Sequence, residues 1–249
     1  MSAISSYDGV DTATLQRRLG LPRVLAFTHV PSTLDVAHAL AADGADAGTL
    51  VVADRQTAGR GRGGRAWTSG DGLGVWLTLV ERPADASALD VLSLRLGLRA
   101  ARALEPFATG VVQVKWPNDL YVDGGKLGGI LVEVRWRDRA VDWVAVGIGV
   151  NVRQPAEQPN ARGLAPDVAR VDVLSALVPV VRTTAAAHGP LRPAELRDFE
   201  RRHYAHGARC VEPTPGVVAG VSATGALLVR DRSGIRSFSS GSLVLESTS

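Results

Sequence analysis

The chain has 249 residues, of which 45% are hydrophobic and 21% charged, and its formal net charge is +3. This length supports one large core, or a main domain with a small second one, and so weak a charge does not by itself indicate nucleic-acid binding. The sequence lacks a secretory signal and any apolar run near the ~20 residues that cross a bilayer, and its lone Cys210 excludes an intramolecular disulfide. We therefore expect a cytoplasmic protein with no membrane segment, in which Cys210 is a buried apolar residue.

The first half of the chain alternates helical and extended patterns. Apolar periodicity predicts helices at residues 11–19, 32–42 and 89–103. Alternating apolar residues predict strands at residues 23–29, 49–54, 73–80 and 111–115. We expect Ser32 to be the N-cap of the second helix. Glycine and arginine dominate residues 56–72, which are predicted to form a loop.

The second half is predicted to consist mostly of strands. Turn residues separate hairpin strands expected at residues 120–122, 126–136 and 141–152. A proline-containing loop at 153–167 precedes helices expected at residues 171–188 and 193–206. Short strands then follow at residues 208–211, 216–222, 226–230, 235–239 and 243–245. The fold class predicted is α+β, with a mixed, mainly antiparallel sheet backed by helices in residues 1–206 and a small β-barrel in residues 207–249.

The segment from Gly59 to Trp67 alternates glycines with arginines before a tryptophan. Glycines let its backbone adopt many conformations, and arginines match phosphate or carboxylate with paired donors. Such a segment can close over an anionic ligand while the indole offers a platform for a flat ring. Two other interpretations stay open at this point: a solvated flexible loop, and an arginine-glycine RNA-binding segment.

Three further motifs concentrate polar residues and glycines at strand ends. Lys115-Trp116-Pro117-Asn118-Asp119-Leu120 places a lysine before a proline-stiffened turn, although such residues are also typical of ordinary turns. The run from Gly124 to Glu133 sets Lys126 between two glycine pairs, where a ligand can approach the backbone. The strand from Gly147 to Val152 carries Asn151, whose amide needs hydrogen-bond partners.

In this order the four motifs resemble the catalytic domain of the biotin protein ligase family. The resemblance is dense over about residues 24–152, where Ser32-Thr33 and Gln56 also fit, and it is only architectural in the C-terminal module. It implies the biotin ligase catalytic fold followed by a small SH3-like β-barrel, in a monofunctional enzyme without an N-terminal DNA-binding domain. The implied activity is ATP-dependent formation of biotinyl-5'-AMP, followed by transfer to a lysine of a biotin carboxyl carrier protein domain.

The resemblance also implies roles for individual residues. The biotin site would contain Ser32, Thr33, Gln56, Arg60, Gly61 through its backbone, Arg62 and Lys126. The ATP contacts would come from Arg65, Lys115, Asn118, Asn151 and Trp67, with the indole against the adenine. Lys126 and Arg62 would be catalytic, and Lys126 would reach the biotin carboxylate and the activated phosphoryl oxygen. Mg²⁺ would assist, and Asp119 would order the turn or, indirectly, the ion.

Two departures and three alternatives accompany this interpretation. Leu34 stands where the family has asparagine, and Gly63 where many members have a further basic residue. A lipoate–protein ligase shares the two-step logic, but Ser32, Thr33 and Gln56 suit the polar ureido ring of biotin better. A nucleic-acid-binding regulator is disfavoured because only about 30 residues precede the motifs, too few for a helix-turn-helix unit. An arginine-glycine RNA binder would repeat the motif. The sequence leaves a homodimer open, and we expect no specific DNA binding.

Overall fold

The first elements of the structure, a computed structural model that describes residues 2–246, form a short hairpin and a helix. Strands β1 (Ser6–Tyr7) and β2 (Val10–Asp11) pair antiparallel and lead into α1 (Thr12–Leu19). The Asp11 carboxylate accepts a hydrogen bond from the Thr14 amide at 2.8 Å, and the helix ends at Gly20 in the left-handed conformation. Capping at both ends confirms the helix predicted from the sequence.

A seven-stranded sheet forms the centre of the protein. Its strands are β3 (Arg23–Val30), β4 (Thr49–Gln56), β5 (Gly74–Glu81), β6 (Gln113–Lys115), β7 (Asp119–Val122), β8 (Gly125–Arg137) and β9 (Ala140–Asn151). They lie in the order β3-β4-β5-β9-β8-β7-β6. Only β3 and β4 run parallel, and every other neighbouring pair is antiparallel. The prediction of a mixed, mainly antiparallel sheet is confirmed.

Helices cover both faces of this sheet, because β4 alternates its side chains between two cores. The helices are α2 (Thr33–Ala42), α3 (Leu92–Leu104), α4 (Arg170–Ala185) and α5 (Pro193–Arg202). Val51 of β4 joins Ala37 and Ala41 of α2 in a small cluster, whereas Leu50 and Val52 join the main core with α3 and α4. Among the described residues, no helix is long and apolar enough to cross a membrane.

Two helices end earlier than the periodicity predicts, and α5 shows why. It was expected to reach residue 206 but ends at Arg202, and His203 is extended. From there the chain joins the edge of the sheet, where His203 bridges to Val114 and the Tyr204 amide donates to the Val114 carbonyl at 2.9 Å. The other helix, α4, ends at Ala185 rather than 188. Apolar periodicity continues past these ends, but backbone pairing with β6 stops α5.

Five short strands form a second, antiparallel sheet near the C-terminus. They are β10 (Arg209–Glu212), β11 (Gly216–Val221), β12 (Leu227–Asp231), β13 (Gly234–Phe238) and β14 (Val244–Leu245), in the order β13-β12-β11-β10-β14. All five were predicted, and Cys210 is buried as expected. Val218, Leu227 and Val229 belong to the same core cluster as the main sheet. An SH3-like closure of these strands and a domain boundary near residue 207 stay predictions.

Candidate functional site

A cavity of about 850 Å³ lies where the glycine-arginine loop, β7, β8 and β9 meet residues 241–245. It brings together most of the predicted site residues, which come from segments far apart in sequence. Those that line it are Thr33, Gln56, Arg60, Gly61, Arg62, Arg65, Trp67, Lys115, Asn118, Asp119 and Lys126. Ser32 and Asn151 do not line this cavity.

One end of the cavity is built around Gln56 at the end of β4. Its side-chain oxygen accepts from the Thr33 amide at 2.8 Å and from the Thr33 hydroxyl at 3.1 Å. Thr78 donates in turn to Thr33 Oγ1 at 2.9 Å. Gln56 therefore satisfies a free amide at the start of α2, whereas Ser32, which is the N-cap residue as predicted, makes no side-chain capping hydrogen bond. Ser32 occupies the N-cap position, but its buried hydroxyl has no partner among the described residues.

Next to this polar corner the wall is apolar. Leu34 is buried, and its Cδ1 would lie 3.2 Å from a Cβ atom placed on Gly147 of β9. The leucine therefore fills the space that the glycine leaves open. This position, where the sequence departs from the family pattern, offers a ligand an apolar contact and no hydrogen bond.

Trp67 lies flat against the middle of the sheet, because glycines of β8 and β9 leave room for its ring. A Cβ atom on Gly149 would come within 2.8 Å of the indole, and one on Gly129 within 3.2 Å. The ring meets Trp76 edge to face, with 6.1 Å between centroids. Its buried Nε1 has no hydrogen-bond partner among the described residues. The glycines therefore fix the ring against β8 and β9 with its N–H buried against Gly149.

The opposite end of the cavity is cationic. Lys126 Nζ lies 2.8 Å from Asp119 Oδ1 and 5.3 Å from the centre of the Trp67 ring. Lys115 Nζ lies over the ring of Tyr121 at 5.5 Å. Burial lowers the pKa of Lys115, and repulsion from Lys126 lowers it further against the attraction of Asp119. Two ammonium groups and one carboxylate leave net positive charge here, which suits an anionic ligand.

The two predicted site asparagines hold the backbone. Asn118 Nδ2 donates to the Ile130 carbonyl at 2.7 Å, which ties the proline-containing turn to β8. Asn151 Nδ2 donates to the carbonyls of Lys126 at 3.4 Å and Arg162 at 3.2 Å. Both amides therefore position the strand that carries Lys126. Their side-chain oxygens stay available to a ligand.

A second cavity of about 460 Å³ adjoins the first and shares Ala66, Trp67, Tyr121 and Lys126 with it. Asn151 and residues 157–161 line its other side. The Lys126 amide donates to the Asn160 carbonyl, and the Arg162 amide donates to the Lys126 carbonyl, both at 2.8 Å. The sequence predicts only a loop at residues 153–167 and does not indicate this role. The pairing is long-range, so no local pattern marks these residues.

The glycine-arginine loop folds back on itself over the first cavity. The Gly61 amide donates to the Arg65 carbonyl at 2.7 Å, and the Trp67 amide to the Gly59 carbonyl at 2.8 Å. Gly63 and Gly64 form the tip of the loop, and both have a positive φ, which residues other than glycine rarely adopt. The departure at Gly63 therefore suits this turn, although it removes a charge from the loop.

Each loop arginine has its own partner. Arg60 contacts Asp35 and Glu133, Arg62 donates to the Gly241 carbonyl, and Arg65 donates to Ser242 Oγ at 2.7 Å. The last two partners belong to the segment just before β14. The C-terminal sheet thus holds the loop over the cavity.

The described part of this site has few side chains that could bind Mg²⁺. Among residues 2–246, no group of three or more His, Cys, Asp or Glu side chains is placed to hold a metal ion. Asp119 is the one acidic residue that lines the first cavity, and it is paired with Lys126. The side chains therefore do not fit a protein-built Mg²⁺ site, and no step below depends on one.

Comparison with known proteins places the chain among ligases. The model of the biotin/lipoate A/B protein ligase family matches residues 24–151. The bifunctional ligase/repressor BirA of Bacillus subtilis is 44% identical over 130 residues, which are 52% of this chain and 39% of that protein. A biotin–[acetyl-CoA-carboxylase] ligase of Mycobacterium tuberculosis is 34% identical over 192 residues, 72% of this chain and 70% of that protein. The match with the Bacillus protein thus spans about two fifths of that protein's length.

The fold agrees with this assignment. A solved structure of the biotin protein ligase of Aquifex aeolicus, in complex with biotin and ATP, superposes with a TM-score of 0.75. It shares 28% sequence identity, and the match covers 92% of this chain and 100% of that one. The family model covers the glycine-arginine loop and the strands of the main sheet that line the cavity, and not residues 241–245. The chain belongs to the biotin/lipoate A/B protein ligase family.

Proposed function

We propose that this protein is a biotin–protein ligase, which joins biotin to ATP as biotinyl-5'-AMP and then transfers the biotinyl group to a lysine of a biotin carboxyl carrier domain. One observation carries the proposal. A single cavity has a polar corner at Thr33 and Gln56 and a cationic end at Lys115 and Lys126. A ligand with a polar ring at one end and a carboxylate at the other matches both.

The polar corner would receive the ureido ring. The oxygen of Gln56 accepts from Thr33, and its amide nitrogen donates to Ser69 Oγ at 3.5 Å, which leaves its second N–H to donate to a ligand. The Thr33 hydroxyl contacts the Gln56 side chain, whereas Ser32, whose buried hydroxyl lacks a partner among the described residues, does not line the cavity. Leu34 would pack against the apolar part of the ligand. The assignment of Ser32 and Arg60 to the biotin site remains a prediction.

The cationic end would carry the first chemical step. The carboxylate of biotin attacks the α-phosphorus of ATP, a P–O bond to pyrophosphate breaks, and a mixed anhydride with AMP forms. Two anions must approach each other, so positive charge from Lys126, Lys115 and Arg62 lowers the barrier. Placing the reacting groups together in one cavity supplies the remaining advantage.

The nucleotide would occupy the second cavity, which opens beside the first across Trp67 and Lys126. Trp67 forms part of both walls, so its ring can face the adenine while its edge stays near the reacting phosphate. Asn151 and the segment 157–161 would enclose the nucleotide from the other side. This arrangement supports the assignment of Trp67 and Asn151 to ATP. Lys115, Asn118 and Arg65 line the first cavity, so their assignment to ATP stays a prediction.

The second step needs no nucleophile from the enzyme. The amine of the acceptor lysine attacks the anhydride carbonyl, and AMP leaves with the electrons of the broken C–O bond. Water would compete for the same carbonyl, so the glycine-arginine loop and residues 241–245 must exclude it until the acceptor docks. Their mutual hydrogen bonds provide that cover.

A lipoate–protein ligase is the alternative from the same family. Lipoate lacks the ureido ring, so the Gln56–Thr33–Thr78 hydrogen bonds favour biotin. The use of Mg²⁺ together with ATP and a cytoplasmic location remain predictions, and a homodimer remains open.

The test combines the protein, ATP, Mg²⁺, biotin and a biotin acceptor domain, and follows the acceptor by intact mass. We expect one biotinyl group per acceptor and none when the target lysine is replaced by arginine. Lipoate in place of biotin should give no adduct. Transfer of lipoate but not biotin, or of neither, would refute the proposal.

A further inference from the structure

Of the three loop arginines, Arg60 has surroundings of a different kind from Arg62 and Arg65. Its guanidinium contacts two carboxylates, with NH2 3.0 Å from Asp35 Oδ1 and NH1 2.9 Å from Glu133 Oε1. A second hydrogen bond to Glu133, at 3.1 Å, makes that pair bidentate. Among the described residues, Arg62 and Arg65 contact only neutral groups, namely a carbonyl and the Trp116 ring for Arg62 and a hydroxyl for Arg65. The charge of Arg60 is therefore offset, whereas those of Arg62 and Arg65 are not.

Glu133 is itself held by two residues on other elements. His38 Nε2 of α2 lies 2.7 Å from Glu133 Oε2, and the Trp143 indole of β9 donates to His38 Nδ1 at 2.9 Å. An indole N–H can only donate, so Nδ1 must accept, and the ring proton sits on Nε2, where it donates to Glu133. Trp143 is buried and the carboxylate is less than one third exposed. Glu133 is thus a prearranged acceptor for Arg60.

The position of Arg60 determines where the rest of the loop lies. Arg60 pairs with Ala66 across the base of the loop, and the next residue, Gly61, donates its amide to Arg65. Fixing Arg60 to α2 and β8 therefore sets the start and the end of the turn that presents Arg62 and Arg65. Losing this anchor would leave the glycines at the tip free to sample many conformations.

We propose that Arg60 is a positioning residue, which fastens the base of the loop to Asp35 and Glu133, and that anion binding falls to Arg62 and Arg65. This assignment rests on the proposed function and replaces the sequence-based role of Arg60 as a biotin contact. Two carboxylates beside its guanidinium would also repel the carboxylate of biotin. Arg60 acts through the loop and not on the ligand.

A double-mutant cycle separates the two roles. The variants are Arg60→Gln, the pair Asp35→Asn with Glu133→Gln, and all three changes together, with Arg139→Gln in the exposed β8–β9 turn as matched control. The first measurement is amide hydrogen exchange over residues 58–67 in the free protein, which requires no catalysis. We expect the rate of amide hydrogen exchange in this loop to rise about 10-fold, and by the same factor in all three variants, while the control stays unchanged.

The second measurement is the KM for biotin in biotin-dependent ATP–pyrophosphate exchange. Arg60→Gln should raise it about as much as the carboxylate pair does, and should add nothing in the background of that pair. Arg60→Lys, which keeps the charge, should recover part of the loss. A further rise of the KM when Arg60 is changed in the background of the carboxylate pair would show a direct ligand contact and overturn the proposal. Unchanged amide hydrogen exchange in the loop of the variants would overturn it as well. If the wild-type protein shows no biotin-dependent ATP–pyrophosphate exchange, the proposed function is refuted. The role of Arg60 is still decided by amide hydrogen exchange in the same variants.

Discussion

Lys126 and Asp119 face each other across the β7–β8 hairpin, with 2.8 Å between Nζ and Oδ1. The pair lies at the junction of the two cavities, beside the Trp67 ring. Asp119 is therefore a resident anion that holds the ammonium group where the reacting carboxylate and phosphate would meet. A ligand that brings more negative charge can share this lysine, and the carboxylate keeps it aligned in the meantime.

The first prediction concerns Lys126. Lys126→Ala should lower the rate of adenylate formation by about 100-fold or more, as loss of one charge-stabilising donor typically does. Biotin-dependent ATP–pyrophosphate exchange measures the effect. Lys126→Arg keeps the charge and should retain more activity than the alanine variant. An alanine variant that forms adenylate at a nearly normal rate would remove Lys126 from the mechanism.

The second prediction concerns Arg62, which joins the loop to the Gly241 carbonyl. Arg62→Gly removes this contact and one anion-binding charge, so biotinyl-adenylate should escape and label nearby amines. Lys115 and Lys126 are the only lysines in this sequence, which limits self-labelling and leaves an added bystander protein as the clean reporter. Hydrogen exchange over residues 58–67 should also fall when wild type binds biotin. No labelling of the bystander, together with equal exchange in both states, would show a static loop.

The third prediction concerns the glycine under Trp67. Gly149→Ala would place a Cβ atom 2.8 Å from the indole, so the ring must move, and overpacking of this kind costs about 1–3 kcal/mol. We expect the KM for ATP to rise by about 10-fold, with a smaller effect on biotin. Gly129→Ala, whose Cβ would lie 3.2 Å from the ring, provides a graded comparison and should have a weaker effect. Equal and negligible effects would exclude Trp67 from nucleotide binding.

The fourth prediction is a pH dependence of stability. Burial lowers the pKa of His203 to about 3, and repulsion from His206 and Lys115 adds to the shift. The neutral ring suits its role, because Nε2 accepts from the Trp116 amide. Below about pH 6.5 the unfolded chain takes up a proton on His203 that the folded chain refuses, so the contribution of His203 to stability falls as the pH drops, by about 2 kcal/mol at pH 5. Burial raises the pKa of Glu81 to about 7, which changes stability in the opposite direction over the same range.

Denaturant unfolding of wild type and His203→Phe at pH 8 and pH 5 measures the contribution of His203 to the free energy of unfolding, as the difference between the two proteins. His203→Phe should be less stable at pH 8, since Trp116 loses its acceptor, but should show a smaller decrease between the two pH values. His188→Gln, at an exposed position, should keep the wild-type decrease. If His203→Phe and wild type lose the same free energy of unfolding, the group does not titrate as its burial indicates.

The fifth prediction is that residues 2–246 bind DNA only weakly, in a salt-dependent manner and without sequence preference. Before β3, the described residues form only a two-stranded hairpin and one eight-residue helix. A bifunctional ligase/repressor is among the relatives, which is why DNA binding by this protein is worth testing. Footprinting with and without biotin tests it, and a protected site that biotin strengthens would contradict the prediction.

Local patterns predicted most helices and strands, because neighbouring residues determine them, but they missed the short β1–β2 hairpin. The α1 helix, with Asp11 at its start and Gly20 at its end, and the β8–β9 hairpin follow from capping residues, turns and alternation. The motifs around Arg62, Lys115 and Lys126 were also visible as motifs, and the structure collects them in one cavity. Their order along the chain was sufficient to suggest the family.

Partner choice was decided by the tertiary structure alone. Arg60 and Arg62 are two residues apart and look alike in the sequence, yet one meets two carboxylates and the other a backbone carbonyl. Gln56, rather than Ser32, satisfies the start of α2, since β4 ends beside it. The environment of a charge is set by residues tens to hundreds of positions away, which only the packed chain brings within hydrogen-bond distance. The sequence by itself determined the elements and the chemical groups of the site, and folding determined which of those groups remain free to bind a ligand.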